Sequence, residues 1–169
     1  MTSRDVLRIA RLAAEIRQTL NEMEKIRAEA AELLAKAGET EPDHLIVRAA
    51  GSILHDFYLA AEEIFIAVAE DLDGGLPAGT HWHRDLLRNV TLELPGIRPP
   101  VISTELAADF DEYLRFRHLF RHHYGFKLQW KRMRPLLETM GVLLDRFRKE
   151  VSTFCEFLDA VVAHLGSKQ

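Results

Sequence analysis

Apolar residues recur at three- and four-residue steps along almost the whole chain, which restricts it to helices packed on helices. In residues 4–37 the series is Ile9, Ala13, Ile16, Leu20, Met23, Ile26, Ala30, Leu33 and Ala37. Thr2 and Asp5 offer a capping-box start for this helix, and Gly38 a stop. Residues 43–72 repeat the rhythm through Ile46, Ala50, Ile53, Leu54, Phe57, Ala61, Ile64, Phe65, Val68 and Leu72. Thr40 and Asp43 bracket Pro42 at the start of that second helix. The run Asp73-Gly74-Gly75-Leu76-Pro77-Ala78-Gly79 is a break. A shorter helix is expected over 81–92, capped by Thr80, and Pro95-Gly96-Ile97-Arg98-Pro99-Pro100 ends it. Ser103 is the expected cap of the next helix, which runs to Tyr124 and stops at Gly125. A last helix covers 127–165. No strand-period alternation and no internal repeat appears. The expectation is an all-α, antiparallel bundle of four long helices plus a short extra helix, with residues 1–169 as a single domain.

At 169 residues the chain is long enough to bury a core without metal or disulfide staples. Its one cysteine, Cys155, lies in the apolar run Phe154-Cys155-Glu156-Phe157-Leu158 and reads as a buried helix residue, which suits a reducing cytoplasm. Residues 1–30 are too charged for a signal peptide, and the uncharged stretch 64–69 is far too short to span a bilayer. A cytoplasmic, soluble protein is expected.

Charge is distributed unevenly. The chain carries a net charge of −4, yet residues 113–137 hold Arg115, Arg117, Arg121, Lys127, Lys131, Arg132 and Arg134 with no acidic side chain. A basic island in an acidic chain is a local address for an anion, and RNA is the natural candidate. Its histidines add the side chain best suited to proton transfer near neutral pH. The bland alternative is a solvated helix face. On a regular helix Arg117, Arg121 and Tyr124 share one stripe and His118 and His122 a second, with Phe116, Leu119 and Phe120 mostly buried. Arg117 and His122 lie roughly 140° apart around such a helix. They grip one atom only if the helix breaks near His122 or if two copies of the chain meet, which would make a homodimer.

Arg117-x4-His122-x-Tyr124 resembles the R-x4-H-x-Y motif of the HepT toxins, members of the HEPN superfamily of helical ribonucleases. His55-Asp56-Phe57-Tyr58 and the stretch from Tyr113 to Phe126 resemble HepT-like bacterial proteins as well, so the likeness spans about residues 45–160. One departure is His118, where many such motifs place a polar residue such as asparagine. The resemblance implies a metal-independent endoribonuclease, with Arg117, His122 and Tyr124 as catalytic residues and two protomers facing across a cleft. His122 would act as base and Arg117 would stabilise the phosphate. Arg115, His118, Arg121, Lys127 and Lys131 are the expected RNA-binding residues. Tyr124 is implied as the AMPylation site of an MNT-type nucleotidyltransferase antitoxin. The competing reading is a non-catalytic HEPN-type interaction or nucleotide/RNA-binding module.

No cofactor is expected. His118 and His122 at i, i+4 have metal-ligand spacing, but the surrounding positive charge repels a cation. His81 and His83 read as cap or surface residues of the short helix. On the second helix His55, Asp56, Glu62 and Glu63 are within reach of the motif, with Glu62 and Glu63 read as solvent-facing. Phe116, Phe120, Phe126 and Trp130 read as packing rather than a base-stacking platform.

Overall fold

A computed structural model describes residues 3–38, 42–122 and 128–167 of the chain. Five helices account for most of it: α1 Ser3–Ala37, α2 His44–Leu72, α3 Trp82–Asn89, α4 Thr104–His122 and α5 Trp130–Gly166. The ends follow local chemistry. Gly38 adopts φ +64° and closes α1, a conformation that costs a residue with Cβ but not glycine. Asp43 accepts from the backbone N–H groups of Leu45 and Ile46, capping α2. Ser103 does the same for α4, its hydroxyl accepting from the N–H of Leu106 at 3.2 Å. The expected start at Thr2, Thr40 ahead of α2, and the stop at Gly125 lie outside the described residues.

The helix α3 departs from expectation. It begins at Trp82 with His81, not Thr80, at the N-cap position, and it ends at Asn89 rather than residue 92. The turns that follow α3 are pinned by Arg98, whose buried guanidinium donates to the carbonyls of Asn89, Leu92 and Pro99 and grips Asp73 through two bonds of 2.6 Å.

Cross-helix contacts fix the directions. Arg17 pairs with Asp159 at 2.5 Å and Arg27 with Asp145 at 2.7 Å, so α1 and α5 run antiparallel. Ser103 meets Glu150, and Tyr113 donates to the carbonyl of Leu136 at 2.6 Å, which sets α4 against α5 in the same sense. Between them, Phe65, Phe110 and Phe147 pack edge to face, with Phe110 and Phe147 centroids 4.9 Å apart. The four long helices therefore share one core in an up-down-up-down arrangement.

Gly51 sets where the ends of α4 and α5 come to rest. A Cβ at this position would stand 2.8 Å from Phe120 Cε2 and 2.8 Å from Leu128 Cδ1. Only a residue with no side chain lets α2 accept both. The end of α4 is thus drawn against α2, with the Phe120 ring 5.2 Å from that of His55.

Candidate functional site

Three charged or titratable side chains meet in the interior where α2, α3 and α4 converge. Glu62 from α2 is 1% exposed, Arg117 from α4 is 6% exposed, and His83 from α3 is also buried. Each lies on an apolar stripe of its helix: Tyr58 and Phe65 flank Glu62, Leu86 and Leu87 follow His83, and Tyr113 and Leu114 precede Arg117. The helices bury these stripes and carry the charges in with them. A buried charge survives only with partners.

The partners are mutual. Glu62 Oε1 lies 2.5 Å from His83 Nδ1, and Oε2 lies 3.6 Å from Arg117 Nη2. Arg117 Nη1 lies 3.3 Å from His83 Nε2. A carboxylate only accepts, and a guanidinium only donates. His83 must then carry its proton on Nδ1, donate it to Glu62, and accept from Arg117 at Nε2. Burial pushes the His83 pKa below the ordinary histidine value, and the charges of Arg117 and Arg121 push the same way against the pull of Glu62. The Trp82 ring lies across the imidazole, centroids 3.6 Å apart. Arg117 Nε finds no acceptor among the described residues.

Several expectations are corrected here. Glu62 is buried rather than solvent-facing, because α3 and α4 close over that part of α2; Glu63 does face outward. His83 is buried rather than a surface residue, while His81 is exposed at the N-cap position. Arg117 and Arg121 do not share one environment: Arg117 belongs to the interior stripe and Arg121 is exposed. Leu119 is 41% exposed instead of buried. Phe116 and Trp130 are core residues and Phe120 is half-buried against them, as expected, while Phe126 lies outside the described residues.

The basic island is also less free than its composition implies. Arg115 is paired with Asp111 at 2.6 Å and Glu112 at 3.2 Å, just upstream of the island. Arg134 is paired with Glu138 at 2.7 Å, just downstream, and Arg117 with Glu62. Arg121, Lys131 and Arg132 are exposed and form no ion pair among the described residues. His118 is exposed, its ring 6.0 Å from that of His83. His122 closes α4, but its side chain, together with Tyr124 and Lys127, lies outside the described residues. His55 is half-buried and contacts Asp56 at 3.3 Å, not Arg117. Among the described residues no group of three or more His, Cys, Asp or Glu side chains is arranged to hold a metal ion. None of their helices is long and apolar enough to cross a membrane.

Comparison with known proteins places this site inside one match. A family model described as HepT-like protein matches residues 49–158, a span that includes Glu62, His83, Arg117 and His122. No curated protein and no solved structure matches the chain.

Proposed function

The chain belongs to the HepT-like protein family, and from that premise we propose that it is a metal-independent endoribonuclease, the toxin half of a toxin–antitoxin pair. In this reading His122 takes the proton from a ribose 2′-hydroxyl. The freed oxygen attacks the adjacent phosphorus, the P–O5′ bond breaks, and the products carry a 2′,3′-cyclic phosphate and a 5′-hydroxyl. Arg117 stabilises the charge that builds on the phosphate oxygens. Arg121 and Lys131, exposed and without ion pairs among the described residues, hold the strand, and His118 and, from its place in the sequence, Lys127 add to that surface.

The observation that carries the reading is the anchoring of Arg117. A guanidinium has five N–H donors, and here His83 takes one from Nη1 while Glu62 faces Nη2. Such an arginine is held in one orientation before substrate arrives, which is what electrostatic stabilisation of a transition state requires. Its remaining donors are assigned to the phosphate. A second protomer completes the cleft, and AMP attached to Tyr124 by an MNT-type antitoxin adds a negative charge that competes with the RNA phosphate.

One observation favours the second reading, a non-catalytic binding module. Arg117 is 6% exposed and Glu62 neutralises its charge, as in an arginine that serves the fold. An RNA strand beside its counterpart with deoxyribose at the cut position separates the two, since a binding module cuts neither. The ribonuclease reading expects cleavage to vanish at that position while binding persists. Equal cleavage of the deoxy strand would rule out attack by the 2′-hydroxyl.

A further inference from the structure

Beside the Glu62–His83–Arg117 cluster, between the start of α3 and α4, lies a cleft of about 420 Å³ lined by Thr80, His81, His83, Arg84 and His118. We propose that this cleft is a second phosphate subsite, which holds a phosphodiester and ribose of the RNA strand flanking the bond that is cut. It rests on the ribonuclease reading and adds α3 to the substrate surface.

The chemistry of the walls selects an anion. Among the described residues no carboxylate lines the cleft, and the acid in the first turn of α3, Asp85, is not among its walls. Arg84 is exposed and forms no ion pair among the described residues, in contrast to Arg115 and Arg134. Glu62, the carboxylate behind the wall, is engaged by His83 and Arg117. The two nitrogens of His83 are committed to those partners, so it supplies a wall, as does His118, while His81, Arg84 and the Thr80 hydroxyl supply donors. His81 stands at the N-cap of α3 without a side-chain bond to the first turn, although its carbonyl accepts from the N–H of Arg84 at 3.0 Å. The volume lies within the range of small-molecule sites and exceeds what a bare ion needs, so it suits a phosphate with its sugar. The histidines do not converge as metal ligands.

The test uses the full-length chain carrying His122→Ala, so that a labelled RNA oligonucleotide is bound and not cut. Fluorescence anisotropy is followed against salt for this background, with Arg84→Ala or His81→Ala added, and with Arg88→Ala as the α3 control outside the cleft. The expected result is a loss of affinity on the order of tenfold for Arg84→Ala, with the salt slope shallower by about 0.7. Arg88→Ala is expected to stay within about twofold. In parallel, inorganic phosphate should move the side-chain NMR signals of His81 and His118, and Arg84→Ala should abolish the response. RNA affinity unchanged by Arg84→Ala and His81→Ala, with Arg121→Ala still weakening it, would overturn the subsite and leave the ribonuclease reading standing. A chain that binds no RNA at all would overturn both, and a surviving response to inorganic phosphate would then mark a site for the free ion only.

Discussion

Removing the Glu62 carboxylate should unfold this protein more readily than any surface change, because it strands a charge. Glu62 is 1% exposed and Arg117 6%, so solvent cannot replace the carboxylate without opening the helix junction. Breaking a buried pair from one side costs about 3–5 kcal/mol. For a chain of this size each kcal/mol lowers the melting temperature by about 2–4 °C, so Glu62→Ala should lose about 6–20 °C. Glu62→Gln keeps the shape and an acceptor for His83 but removes the charge, and should fall between. Pairing Glu62→Leu with Arg117→Met removes both charges together and should cost less than the sum of the singles by at least about 1.5 kcal/mol. Urea denaturation followed by far-UV circular dichroism gives the free energies of these variants and of the two singles, and thermal melts give the temperatures. A Glu62→Ala protein within about 0.5 kcal/mol of wild type, or a double variant that is simply additive, would refute the buried cluster.

His83 predicts a pH dependence. Its pKa is lowered on folding, so the unfolded chain holds more protons than the native one over the interval between the two values. Stability therefore rises with pH through that interval and levels off above about 6.5, the ordinary histidine value. Denaturation midpoints between pH 5 and 7.5 should flatten in His83→Gln; an equal slope in both proteins would contradict the assignment. Gly51→Val should push Phe120 and Leu128 aside and disturb the end of α4, lowering RNA cleavage more than helicity, measured by circular dichroism and a gel assay. Overpacking of this kind costs about 1–3 kcal/mol, and an unchanged cleavage rate would show that the end of α4 tolerates the shift. Light scattering should report a dimer at micromolar concentration, whereas a monomer would remove the composite cleft. Coexpression with an MNT-type nucleotidyltransferase should add the mass of one AMP, lost in Tyr124→Phe.

Much of the fold was legible because helix periodicity, Asp43, Ser103 and Gly38 are local signals that tertiary packing had no reason to override. The match to the R-x4-H-x-Y pattern is equally local, and Arg117 could be singled out from it. The burial of Glu62 and His83 is not legible in the sequence, for the opposite reason. Their burial depends on α3 folding back over α2 and α4, a long-range event that amphipathicity alone does not encode. A signal did exist: Glu62 follows Tyr58 by four residues and precedes Phe65 by three, so it sits in the middle of an apolar stripe. A charge in that position marks a buried partner elsewhere. The basic island was likewise overvalued, since Asp111, Glu112 and Glu138 lie just beyond its borders and fold back on Arg115 and Arg134 at helical spacing.

RNA cleavage by the purified chain in EDTA, wild type beside His122→Ala, tests the central claim most directly. The account predicts cleavage by wild type alone, with 2′,3′-cyclic phosphate ends. Equal cleavage by His122→Ala, or none by an unmodified wild-type dimer, would contradict it.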